Sequence, residues 1–361
     1  MTLRTGFFWG SVTGAGWVLV GYPLALGLLR ARPWEQQDEV PTVTLLVPAY
    51  REREQLRRKL AALDDLDYPA DRLQVLVTVD EDEELAGIAK RAYPRATVLF
   101  SRERAGKAAA LNRGLAGSTG DIVVMTDANN LLDAGSIKAA VRHFADPGVV
   151  AVAGRRMESG SAYDRYEHFI RALETRSGSV AAMSGEFMGA RRELVPPFPD
   201  DVINDDFWLL CHLVRQGGRV VYEPLAFSSE EAVPVKGEIA RRSRMGAGRA
   251  MSLSELRGLP LGYAWRVLSH KYGRLALPFL LMTTLLSSLL LAGRRPYRLI
   301  AGAQAAAYAS GALATVGVVP PGRAGTLMRA AGQFVLGNLA IARGVIRGVR
   351  GGQGTRWEPV R

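Results

Sequence analysis

Apolar residues along this chain fall into two regimes: long uncharged runs toward the ends and short alternating segments between them. Thr5 to Leu29 carries no charge, nor do Leu275 to Gly293 and Leu299 to Gly322. Each is near or above the roughly 18–20 apolar-dominated residues with which a helix spans a bilayer. The first run is longer than the roughly 7–15-residue core of a secretory signal, and no small-x-small cleavage site precedes Arg30 and Arg32, so it reads as a membrane anchor. A fourth run, Ala330 to Ala342, is bracketed by Arg329 and Arg343. It is short, and suits either a poor span or a helix lying in the interface.

From about Pro41 to Ala250 the pattern changes to β-branched runs alternating with helical stretches, the signature of βαβ units and a mostly parallel sheet. Strands are expected at 42–48, 73–80, 96–100, 121–127 and 219–224. Helices are expected at 55–66, where Leu56, Leu60 and Leu63 share a face, and at 83–92, 107–116, 164–182 and 205–218. The expected organisation is an anchor and linker over 1–40, an α/β domain over 41–252, and an interfacial helix with further spans over 253–361.

Charge sharpens this picture. The net charge is +11, but from Ala292 onward there are ten arginines and one acid, Glu358, so the tail supplies +9 and the remainder +2. Arginines flanking apolar runs suit helix ends at a cytoplasmic face and anionic head groups. With no interleaving of aromatic and basic residues, no nucleic-acid partner is expected. Arg30 and Arg32 outweigh Arg4, which puts the middle of the chain in the cytoplasm, whereas Arg294, Arg295 and Arg298 argue the other way for the C-terminal hairpin. A multi-pass protein of the inner (plasma) membrane is the expectation. The single cysteine, Cys211, excludes an internal disulfide and a cysteine-based zinc site, and the four histidines (143, 168, 212 and 270) are too scattered for a metal cluster.

Open parallel sheets bind ligands outside the carboxyl ends of their strands. Here the strand ends read "VPAYRERE", "VDEDEE" and "TDANN", bringing Glu52, Asp80, Asp82, Asp127 and Asn129 toward one rim. Asp127 and Asn129 are hard oxygen ligands suited to Mg2+ or Mn2+ shared with a diphosphate. Lys107 opens a helix, and is either an anion-binding group there or a solvent-facing helix residue. Two nucleotide motifs fail their context: "RAGKAA" has Ala108 where a P-loop needs Ser or Thr, and "GAGRAM" lacks the third glycine and preceding strand of a dinucleotide fingerprint.

The segments "VPAYRERE", "VTVDED", "GKAAALNRGL", "TDAN", "SGEFMGARREL", "INDDFWL" and "RRSRMGAGR", in this order and at these separations, resemble family 2 glycosyltransferases over roughly residues 41–250. The resemblance implies a GT-A fold, Rossmann-like, that binds a nucleotide diphosphate sugar. Pro48, Tyr50, Glu52 and Asp80 would hold the nucleoside, and Lys107 and Arg244 the diphosphate. Asp127 matches the first acid of the family's D-x-D motif, with Asn129 in place of the second. "NDDF" stands where the family has T-E-D, making Asp206 the expected general base, with Asp205, Gly185 and Arg241 on the acceptor side. "RRSRM" occupies the place of Q-x-x-R-W in processive synthases; Arg241 replaces the glutamine and Met245 the tryptophan, and an amphipathic helix on the membrane face fits the same stretch. The implied activity is a membrane-bound inverting transfer to a polysaccharide or lipid-linked acceptor. A competing reading is a membrane-tethered nucleotide-binding or scaffold protein with a degenerate transferase domain. A transporter fares worst, because the apolar runs contain almost no ionisable residue.

Overall fold

The computed structural model of the chain describes residues 2–157, 162–230 and 235–350. Arg356, Glu358 and Arg361 of the basic tail lie outside the described residues. The chain divides into two compact units. A helical unit takes the N-terminal helix α1 (Leu3–Leu28), the stretch ending at Leu253 and the helices from Trp265 onward; an α/β unit takes the chain from Leu29 and the segment Ser254–Ala264.

The α/β unit runs β1 (Val43–Ala49), α2 (Arg53–Ala61), β2 (Leu73–Asp80), α3 (Glu83–Ala92), β3 (Thr97–Ser101), α4 (Lys107–Ala116), β4 (Ile122–Met125), β5 (Asn130–Leu132), α5 (Ser136–Val141), β6 (Val149–Met157), α6 (Ala162–Ser177), β7 (Met188–Arg191), α7 (Asp205–Arg215) and β8 (Arg219–Glu230). All eight strands form one sheet in the order β3-β2-β1-β4-β7-β6-β8-β5. β1 pairs in parallel with β2 and β4, and β2 with β3. β7 is antiparallel to both β4 and β6, and β5 to β8, so the sheet is mixed.

Strands covered on both faces need apolar residues at successive positions, not at alternate ones. That explains "TLLV", "VLVTV" and "IVVM", whose residues are buried throughout. The covering helices contribute narrow stripes: Leu56 and Leu60 from α2, and Leu85, Ala86 and Ala89 from α3. Asp82 starts α3 by accepting from the Leu85 amide at 3.0 Å, which satisfies one of the exposed donors of the first turn. Gly154 allows β6 to pass close to its neighbours, since a Cβ there would lie 2.5 Å from the Ala226 carbonyl oxygen and 2.7 Å from Phe187. Gly154→Ala is therefore expected to lower stability by about 1–3 kcal/mol, the usual penalty of overpacking, as read from chemical denaturation.

The polar stretch before β1 is tied down along its length. The Arg32 amide donates to the Arg176 carbonyl at 2.8 Å, and Trp34 Nε1 donates to His143 Nδ1 at 2.8 Å. Arg219 covers the Trp34 ring at 4.6 Å and donates to the Arg32 carbonyl at 2.7 Å. Because His143 Nδ1 accepts from Trp34, the ring proton sits on Nε2, which faces Glu223 at 2.7 Å.

The helical unit contains α8 (Val235–Met251), most of α9 (Leu261–Leu290), α10 (Arg295–Thr315) and α11 (Gly322–Val349). Among the described residues two helices are long and apolar enough to cross a membrane: α1, of 26 residues, and α9, of 30 residues. The runs at 299–322 and 330–342 do not meet that standard. The first leaves its helix at Thr315, before Pro320 and Pro321, and the second lies within a helix that also carries Arg323, Arg329, Arg343 and Arg347.

Candidate active site

A cleft opens at the carboxyl ends of β1, β2 and β4, and its lining includes Pro48, Tyr50, Glu52, Asp80, Lys107 and Asp127. These are the six positions that the sequence directs to donor binding, other than Arg244. The parallel register delivers them: β1, β2 and β4 end side by side, and each chain turns out of the sheet at the same rim. Arg51 and Glu81, just beyond β1 and β2, adopt left-handed backbone with φ of 61° and 60°. For residues other than glycine this conformation carries strain that tends to collect at functional sites. Tyr50 donates its hydroxyl to Glu81 Oε2 at 3.1 Å, and its ring lies beneath the guanidinium groups of Arg51 at 4.9 Å and Arg104 at 4.4 Å.

Lys107 is the electrostatic centre. Its ammonium contacts Asp127 Oδ1 at 2.9 Å and Asp205 Oδ2 at 3.0 Å, joining the tip of β4 to the start of α7. Burial would lower its pKa, but the two carboxylates outweigh burial and raise it, so the lysine is cationic throughout the physiological range. Gly185 belongs to the same spot: a Cβ there would stand 3.2 Å from Lys107 Nζ and 3.4 Å from Asp127 Oδ2. Asp206 lies beside Asp205 at the first turn of α7 and accepts from the Phe207 amide at 2.6 Å.

Asp80 is engaged differently from its two companions at the rim. Arg113 of α4 pairs with Oδ1 at 2.6 Å, while the amides of Ala105 and Gly106 each donate to Oδ2 at 3.3 Å. It thus holds the loop leading into α4, where Gly106 has φ of +91° and permits the turn that presents Lys107.

Asn129 donates its side-chain amide to Glu230 Oε1 at 2.6 Å, and Arg156 contacts Glu230 at 2.5 Å and Glu186 at 3.5 Å. With the nitrogen turned to Glu230, the Asn129 carbonyl oxygen remains the atom with ligand chemistry. Among the described residues no group of three or more His, Cys, Asp or Glu side chains is disposed to enclose an ion. Asp127 and Asn129 carry hard oxygens, the ligand type of a Mg2+-like cation, which takes one or two protein oxygens and completes its shell with substrate phosphates and water.

Arg241 and Arg244 stand on α8, in the helical unit. The sequence reading passed over Arg104, Arg113, Lys59, Arg156, Glu186 and Glu230. Glu186, inside "SGEFMG", and Arg113, inside "GKAAALNRGL", carried a signal in the sequence.

Burial, reinforced by the nearby charge of Asp127, pushes the Glu52 carboxyl up to about 8. The folded protein thus keeps a proton on Glu52 between about pH 4.5 and 8, where the unfolded chain has released it, so this group's contribution to stability falls as pH rises through that window. Glu52→Gln is expected to flatten the dependence. Denaturation at pH 5.5 and pH 8 should show wild type losing on the order of a few kcal/mol relative to the variant; parallel losses would refute the assignment.

The strand order and the acids and lysine gathered at the rim define the GT-A class of α/β folds. A mannosyltransferase from Pyrobaculum calidifontis, PcManGT, solved with GDP-Man and Mn2+, shares this fold at a TM-score of 0.80, with 24% identity, covering 97% of this chain and 100% of that one. The sequence model described as "Glycosyltransferase like family 2" matches residues 41–245, more than half of the chain. The chain belongs to glycosyltransferase family 2. The probable glycosyltransferase YdaM of Bacillus subtilis is 26% identical over 224 residues, and the poly-beta-1,6-N-acetyl-D-glucosamine synthase of Staphylococcus aureus is 26% identical over 214. Each match covers 55% of this chain and 52% of the relative, so the chain spans about half the length of these curated relatives.

Proposed function

We propose that the protein is a membrane-bound, inverting glycosyltransferase that moves a sugar from a nucleotide diphosphate sugar to a polysaccharide or lipid-linked acceptor. The observation that carries this reading is the contact of Lys107 with both Asp127 and Asp205 in a cleft walled by Tyr50, Arg104 and Glu52. A partly buried, permanently charged ammonium suits a diphosphate, whose negative charge grows as the sugar departs. Tyr50 with its flanking arginines offers a stacking surface for the nucleoside. Asp206 takes the proton from an acceptor hydroxyl while that oxygen bonds to the anomeric carbon; the bond from that carbon to the diphosphate oxygen breaks, and the anomeric centre inverts. Asp127 and Asn129 would hold Mg2+ or Mn2+, which when bound offsets charge on the leaving diphosphate.

Helices α1 and α9 and the similarity to a polysaccharide synthase support placement at a membrane, and Arg30 and Arg32 after α1 favour the α/β unit on the cytoplasmic side. The experiment is release of nucleoside diphosphate from a panel of nucleotide sugars, using the full chain in native membranes with Mg2+ or Mn2+. Turnover with at least one donor sustains the reading. Nucleotide binding without turnover for any donor would favour the tethered binding protein instead, a reading that draws weight from Asn129 in place of an acid.

A further inference from the structure

Lys59 is a lysine where a leucine would be expected. It lies on the buried side of α2 beside Leu56 and Leu60, and is itself only 1% exposed. An ammonium removed from water costs several kcal/mol unless its donors are used. Two of its three are: Nζ donates to Thr126 Oγ1 at 3.0 Å and to the Asn130 carbonyl oxygen at 2.5 Å. The Thr126 hydroxyl donates onward to the Glu186 carbonyl at 2.7 Å, and the Asn130 amide donates back to the Asp127 carbonyl at 3.3 Å. Thr126 and Asn130 bracket the three residues that carry Asp127 and Asn129, so one buried side chain grips both ends of the turn from behind. Burial lowers its pKa to about 7, against the opposing pull of the Asp127 carboxylate.

We propose that Lys59 is a positioning residue, a staple that fixes the 126–130 turn and thereby the placement of Asp127 in the cleft. Its consequence for turnover rests on the proposed function; its consequence for the turn does not. A misplacement of about 1 Å far from the chemistry can cost as much as 10²-fold in rate.

The test uses the full chain in detergent with three substitutions. Lys59→Met keeps the stem and removes the donors; Thr126→Val cuts one arm of the staple with Lys59 intact; Thr126→Ser keeps the hydroxyl. At a temperature well below melting, kcat for the donor found in the panel should fall about tenfold or more in Lys59→Met and Thr126→Val, and stay within about twofold in Thr126→Ser. Hydrogen exchange of the peptide covering 122–132 should rise in the first two and not in the third. If Lys59→Met does not fold, the two threonine variants decide alone. Wild-type kcat and exchange in Thr126→Val, with only a lowered melting temperature, would overturn the proposal. If wild type turned over no donor, the functional reading would fall, and the exchange measurement would still decide on the staple.

Discussion

Asp127→Asn should lower kcat/KM for the sugar donor by about 10³-fold in the presence of Mn2+, the equivalent of several kcal/mol of lost charge stabilisation. The substitution keeps the shape of the side chain and removes its charge. Two effects follow that pull apart. Lys107 loses one of the two carboxylates that neutralise it, so the cleft becomes more positive and metal-free affinity for a nucleoside diphosphate should hold or improve. The gain in affinity that Mn2+ brings to wild type should disappear, because Asp127 is the one full charge among the two side chains suited to the cation. Calorimetric titration of nucleoside diphosphate with Mn2+ and with EDTA separates these effects. Retention of the Mn2+ enhancement in the variant would remove Asp127 from the metal site.

The second large effect is expected at the start of α7. Asp206→Asn should reduce kcat by about 10²–10⁴-fold, the range a general base contributes, with donor affinity left near wild type. Asp205→Asn makes the informative comparison. Asp205 is committed to Lys107 at 3.0 Å, the ammonium that suits the donor's diphosphate. Its loss should act mainly on donor binding. In a profile of kcat against pH, the acidic limb should vanish in Asp206→Asn and persist in Asp205→Asn. The reverse assignment of the two aspartates would be established by the opposite result.

The legible and illegible parts of this protein differ in physical kind. Helices α3 and α4 fall on the expected residues because each has a narrow apolar stripe and a polar remainder. Strands β1, β2 and β4 were visible as continuous apolar runs because both faces of the sheet are covered. β5 and β7, of three and four residues, are too short to show a period; β7 is the strand that reverses direction at the middle of the sheet and makes it mixed. β8 was expected to end at 224, but continues to Glu230, past Pro224, and so carries Glu230 to Asn129.

In the site, the sequence located the acids and Lys107 but not how they pair. Asp80 and Asp127 follow apolar strands that flank β1 on either side, yet one meets Arg113 and two amides and the other meets Lys107. Lys59 sits in "LRRKLA", which reads as the solvated face of a helix, and only the packing of α2 against the turn after β4 shows that it is buried. Buried cations escape a reading that equates charge with surface.

The latch at Asp80 bears on how a donor is received. Both of its carboxylate oxygens are taken up by the protein's own groups, so the segment bearing Arg104 and Lys107 is immobilised by folding and does not wait for a ligand. An unpinned segment would surrender conformational entropy each time a donor arrived, at about 1–2 kcal/mol for every residue brought to rest. Here that freedom is already gone, and the cleft meets its donor as a preformed wall.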